Sequence, residues 1–84
     1  VRTIYKYPIE IADEQQLKAI PLHRIRHVGL DPRGVPCCWC EVDTEAPALD
    51  VTIYVVGTGN LIPSAATTYI SSFNQGPFVR HVYF

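Results

Sequence analysis

Tyr5, Tyr7, Ile9 and Ile11 alternate with Lys6, Pro8 and Glu10 near the start of the chain. A period of two places each set on its own face of an extended strand, because successive Cβ atoms point to opposite sides of the pleat. A helix would scatter the same residues around its axis. Pro8 has no N–H to give to a ladder, so this strand belongs at a sheet edge or carries a bulge near its middle.

The rest of the chain repeats short extended runs between turn signals. Asp13-Glu14-Gln15-Gln16 is polar punctuation, and residues 17–22 fit either a short strand, the favoured reading, or a single helical turn broken by Pro21. Residues 23–30 form a strand of mixed polarity, closed by Asp31-Pro32-Arg33-Gly34, where Pro and Gly stand as a tight turn requires. Residues 35–42 return as the hairpin partner. After the turn-rich Asp43-Thr44-Glu45-Ala46-Pro47, residues 49–56 are a β-branched run, too short for a helix and apolar on both faces, as a central strand is. Gly57-Thr58-Gly59-Asn60 ends it. Residues 61–66 have room for one helical or 3₁₀ turn with Ser64 as its N-cap. Residues 67–73 resume strand composition, Asn74-Gln75-Gly76-Pro77 turns, and residues 78–84 are a last strand.

This spacing predicts an all-β, mainly antiparallel fold in a single domain over residues 1–84, a compact six- or seven-stranded sandwich or small barrel with at most one short helical turn. Composition excludes disorder: 48% of the side chains are hydrophobic, 11% are aromatic, and the formal charge is only -1. A core of this size is marginal without metals or disulfides, which makes a homodimer a natural supplement. The terminal strand ends in Val82-Tyr83-Phe84 with no charged residue after Arg80, so an edge there would call for a cover.

No stretch nears the roughly 20 apolar residues of a membrane span, and residues 1–4 lack a signal-peptide core. Cys37, Cys38 and Cys40 are too few and too close for a disulfide framework. The expectation is a cytoplasmic protein with no membrane association.

Ile4-Tyr5-Lys6-Tyr7-Pro8-Ile9 with Asp13-Glu14-Gln15, Val42-Asp43 with Ala46-Pro47, Tyr54-Val55-Val56-Gly57-Thr58-Gly59 with Ile62-Pro63, and Gly76-Pro77-Phe78-Val79 with His81-Val82 occur together in this order. The set resembles a family of small uncharacterised proteins encoded by bacteriophages and by bacterial genomes, often in prophage regions. The resemblance runs nearly end to end and departs at His23-Arg24 and Cys40-Glu41. It implies a phage setting and brings no activity, cofactor or catalytic residue.

Cys37-Cys38-Trp39-Cys40 contains a C-x-x-C spacing, but a strand sends positions 37 and 40 to opposite faces, and a zinc site needs four converging ligands. Small buried hydrophobes are the simpler role. No Asp or Asn is placed by sequence to orient a His against a thiol, so no catalytic residue, cofactor or metal ligand is assigned. Gly57-Thr58-Gly59-Asn60 lacks the Lys and the third Gly of phosphate-binding loops and reads as a turn.

His23-Arg24-Ile25-Arg26-His27 is the one basic concentration, with Arg24 and Arg26 expected on one face and His23 and His27 on the other. With Arg2, Lys6 and Arg80, and with Tyr5 and Tyr7 to stack bases, it would build a nucleic-acid face. A pI near 6.3 disfavours that partner. The candidate interaction surface is therefore His23, Arg24, Arg26, His27, Arg80, Tyr83 and Phe84. The expected function is a small accessory protein that binds a host or phage protein, as a modulator or inhibitor of a host system such as defence. A nucleic-acid-binding β-barrel module is the alternative, and a structural virion component or small enzyme the third reading.

Overall fold

The structure, a computed structural model, describes all of residues 1–84. Seven strands follow one another: β1 Arg2–Pro8, β2 Glu14–Ile20, β3 Leu22–Leu30, β4 Pro36–Asp43, β5 Leu49–Gly57, β6 Tyr69–Gln75 and β7 Phe78–Tyr83. They form two antiparallel sheets, a three-stranded one ordered β1-β4-β3 and a four-stranded one ordered β2-β5-β7-β6. No helix is present, so none is long and apolar enough to cross a membrane.

The expected β3–β4 hairpin forms around residues 31–34, and its chemistry explains its sharpness. Asp31 Oδ1 accepts the N–H groups of Arg33 (2.8 Å) and Val35 (2.9 Å), while Gly34 takes φ +79°, a conformation open to glycine at no steric cost. β5 is the central strand its composition predicts, with β2 on one side and β7 on the other. Its Val51, Ile53 and Val55 meet Cys38, Cys40 and Val42 of β4, Leu17 and Ile20 of β2, Val28 of β3, Phe73 of β6 and Val82 of β7 in one core. Tyr54 and Val56 point the other way and are buried too, as the apolar run on both faces requires.

Four sequence expectations need correction. The alternation from Tyr5 to Ile11 ends early: β1 stops at Pro8, Ile9 enters the core just beyond it, and Ile11 is exposed. β2 starts at Glu14 inside the presumed punctuation, since an edge strand tolerates polar side chains, and Leu22 belongs to β3 beyond Pro21. Residues 61–66 contain a single reverse turn, Ala66 N–H to the Pro63 carbonyl at 2.9 Å, and no helix. The terminal strand is no edge: β7 lies between β5 and β6, and Val82 is fully buried.

The two sheets meet along one side, where β3 runs beside β6. Ser71 of β6 bonds both the N–H and the carbonyl of Val28 there. On the opposite side β1 and β2 are the free edges. β2 is blunted by a register break between Leu17 and Ile20, by φ +55° at Ala19, and by Asp50, which accepts the Ala19 N–H at 3.0 Å. β1 carries no bulge; Arg2, Lys6 and Pro8 are what guards its edge.

Candidate protein-interaction face

The outer side of the three-stranded sheet is set by parity on β4. Cys38, Cys40 and Val42 turn into the core, so Cys37, Trp39, Glu41 and Asp43 turn outward. Register brings Lys6 of β1 and His27 of β3 opposite Trp39, and Ile4 and Arg24 opposite Glu41. Two register shifts in β3, between Leu22 and Arg24 and between Ile25 and His27, break its simple alternation. The expected division of His23 and His27 from Arg24 and Arg26 therefore fails: His23 and Arg26 reach the same carboxylate.

That carboxylate is Glu41. Its Oε1 accepts from Arg26 Nε (3.0 Å) and Nη2 (2.7 Å), and its Oε2 faces Arg2 Nη1 (3.3 Å) and His23 Nε2 (3.5 Å). The Arg26 hydrogen bond, then the charges of Arg26, His23 and Arg2, hold the Glu41 carboxyl below the usual carboxylate range. One anion thus answers two guanidiniums and an imidazole, and the cluster keeps a positive excess. Arg24 adds an exposed guanidinium with no bond inside the chain. Arg2, Thr3, Ile4, Arg26 and Glu41 line a shallow depression of about 460 Å³.

Beside this cluster His27 stacks on Trp39 with centroids 5.4 Å apart and planes 35° from each other. Gly29 makes room for it: a Cβ there would lie 2.7 Å from His27 Nε2. Lys6 pairs with Asp31 at 3.1 Å, whose carboxyl is lowered first by the Val35 N–H and then by Lys6 and Arg33.

The remaining predicted residues sit elsewhere. Arg80 and Tyr83 belong to β7 in the other sheet, so the proposed surface is not one patch. Arg80 lies over the Phe78 ring at 5.0 Å and bonds Gln75, and Tyr83 meets Tyr69 edge-on at 5.4 Å. Phe84 exchanges backbone bonds with Thr68. The basic face instead gains Arg2, Lys6, Trp39 and Glu41. Parity along β4, combined with the β3–β4 hairpin, was the available signal for Trp39 and Glu41. Arg2 and Lys6, already named beside the basic run, are brought to it by the β1–β4 pairing, for which the sequence held no signal.

Two further clusters bear on chemistry. Cys38 and Cys40 are fully buried with sulfurs 3.4 Å apart, and the hydrogen bond between them together with burial pushes the Cys38 thiol up. Cys37, on the other side of the strand, is raised by burial and by Asp31. The Cys38–Cys40 hydrogen bond lowers Cys40, and all three thiols lie buried. On the second sheet a relay runs through His81. Thr58 Oγ1 lies 3.5 Å from the Val79 carbonyl and bonds His81 Nε2 (2.8 Å), His81 Nδ1 bonds Ser72 Oγ (2.7 Å), and Ser72 Oγ bonds the Tyr69 hydroxyl (2.7 Å). This relay pins the turn at residues 57–60 beside a depression of about 250 Å³.

Comparison with known families then decides kinship. The chain belongs to the family described as Domain of unknown function (DUF7352). The match covers residues 1–84, the whole of the sheet pair described above. No curated protein and no solved structure matches the chain.

Proposed function

We propose that this domain acts by binding another protein, through the outer face of its three-stranded sheet, and that the partner offers an acidic segment. The observation that carries the reading is the sharing of Glu41 among Arg2, His23 and Arg26, beside the unpaired Arg24 and the half-buried Trp39. Arg and Trp are the side chains that most often dominate binding energy at protein interfaces. An incoming carboxylate would find donors already oriented and a flat aromatic edge next to them. The resemblance to phage and prophage proteins supports a host protein as the partner, with this domain as its modulator.

Trp39 is the sole tryptophan, so its emission reports directly on this face. Titration with an acidic peptide of alternating glutamate and valine is expected to change that emission saturably. The double substitution Arg24→Ala and Arg26→Ala should weaken the response by roughly tenfold, about 1.4 kcal/mol. No response to the peptide overturns the reading. Tighter binding of a single-stranded oligonucleotide, falling steeply with added salt, replaces it with the nucleic-acid alternative.

A further inference from the structure

The free edge of β1 has a definite hydrogen-bonding parity. Ile9 N–H bonds the Pro36 carbonyl, and Thr44 N–H bonds the Val1 carbonyl, each at 2.9 Å. These contacts continue the β1–β4 register outward at both ends. In an antiparallel ladder every second residue turns its N–H and C=O toward the same neighbour. Odd-numbered residues of β1 therefore face β4, and Arg2, Ile4, Lys6 and Pro8 face away. Pro8 falls on the outward set, where its missing N–H takes nothing from the sheet.

The other edges are shielded or broken. β3 and β6 are joined through Ser71, and β2 is bulged at Ala19. β1 alone presents a straight seven-residue edge whose outward backbone groups have no partner within the chain. Ile4 is 50% exposed on the outer side of the sheet, and Tyr5 is 44% exposed on the core-facing side. A single-stranded edge of this kind is a template for another strand.

We infer that β1 pairs with β1 of a second copy of this chain, antiparallel, about a two-fold axis at Tyr5. Hydrogen-bonded pairs must join outward residues, which restricts the axis to Ile4 or to a neighbouring position that keeps parity. Centring on Ile4 sets Arg2 opposite Lys6 of the second copy, a like-charge pair. Centring on Tyr5 sets Ile4 opposite Lys6 and Arg2 opposite Pro8, whose carbonyl accepts the Arg2 N–H. The two registers make the same number of backbone bonds, because the bonds Pro8 cannot donate are offset by those its carbonyl accepts. Charge then selects the Tyr5 axis. The two Tyr5 rings meet in a non-hydrogen-bonded pair, where side chains approach most closely.

The result is one continuous sheet in the order β3-β4-β1-β1-β4-β3. The two-fold axis stands perpendicular to it, so both basic faces lie on the same side. This inference stands on the edge and not on the outer face, and neither fails with the other.

Light scattering over a dilution series is expected to give twice 9.4 kDa at high concentration and to fall toward 9.4 kDa on dilution. Ile4→Pro removes an outward N–H without touching the bonds to β4, so it should raise the dimer dissociation constant at least roughly tenfold with circular dichroism unchanged. Register is read separately by cysteine substitutions. Tyr5→Cys, made together with Cys40→Ala so that it cannot pair with the cysteine opposite it on β4, should form a covalent dimer under mild oxidation, because non-hydrogen-bonded pairs bring Cα atoms within disulfide reach. Ile4→Cys should not. A mass of 9.4 kDa at every concentration, or a dimer indifferent to Ile4→Pro, overturns the inference; cross-linking at Ile4→Cys in preference to Tyr5→Cys overturns the Tyr5 axis.

Discussion

Ser71 Oγ accepts the N–H of Val28 at 2.9 Å and donates to the carbonyl of the same residue at 2.7 Å. Val28 is fully buried, and its main chain turns away from β4 at this point. One hydroxyl thus does for β3 what a further strand would do. It lies at a register shift in β6 between Tyr69 and Ser71, which aims the side chain across to the other sheet. The sandwich is closed on this side by a side chain and open on the side of β1.

Ser71→Ala is expected to destabilise the fold by about 1–3 kcal/mol, since a buried N–H and a buried carbonyl lose their partner together. Urea denaturation at neutral pH checks this. Ser72→Ala also loses two bonds, to His81 and to Tyr69, but between side chains that water can reach and not to buried backbone, so it should cost less; equal losses from the two would remove the special role of Ser71.

Gly29→Ala is expected to act on Trp39 and not on stability. The added methyl would sit 2.7 Å from the far end of the His27 ring, a side chain that can swing aside. The stack of His27 on Trp39 would open, shifting the emission of the sole tryptophan. The unfolding free energy should change by less than ~1 kcal/mol, in line with a Gly to Ala change in extended backbone. An unchanged emission spectrum would show that His27 keeps its place.

Strand count, class and the central position of β5 were legible because each rests on local pattern: period-two alternation, β-branched runs, Pro and Gly at turns. The basic face was only half legible. His23, Arg24, Arg26 and His27 announce themselves as a run, but bulges in β3 decide which of them share a side, and single residues inserted in a ladder leave no trace in alternation. Arg80 and Tyr83 were joined to that run by charge and aromaticity, and topology separates them into the other sheet. The apolar end of β7 looked like an edge for the same reason: strand order is a long-range property, and Val82 is buried by β5 and β6, not by a second copy. The free edge at β1 was marked by Pro8 from the start.

Acid should destabilise the domain through a few identifiable carboxylates. Glu41 is held down by Arg26, Asp31 by the Val35 N–H, and Asp50 by the Ala19 N–H, each below its ordinary value. A folded-state pKa below the unfolded one contributes stability that is fully present above the unfolded value and is lost as pH falls through the folded one. The urea midpoint should therefore be level from neutral pH down to about 5 and decline below about 4. Glu41→Gln and Asp31→Asn should each flatten that decline. A midpoint in Glu41→Gln that falls with acid as steeply as in the parent would show that Arg26 does not depress this carboxyl.

The His81 relay makes a prediction that separates a tether from a packing role. His81 stands opposite Val56 on one side and Ser72 on the other, and its Nε2 reaches out of the sheet to Thr58 in the turn after β5. Beyond this bond and the 3.5 Å contact of Thr58 Oγ1 with the Val79 carbonyl, Asn60 N–H closes the turn on the Gly57 carbonyl at 3.0 Å, and the next residue, Leu61, is 94% exposed. Thr58→Ala cuts the relay at its outer end and leaves Ser72 and His81 paired within the sheet. Hydrogen exchange at Asn60 should then speed up while the β5 and β7 amides keep their protection, since local opening has its own free energy below the global one. His81→Phe keeps a ring of similar size and removes both bonds, so it should free the same turn and also lower global stability, by roughly 0.5–1.5 kcal/mol for each bond lost. If Thr58→Ala leaves Asn60 exchange unchanged, the turn is held by its own backbone, and His81 serves only to satisfy Ser72.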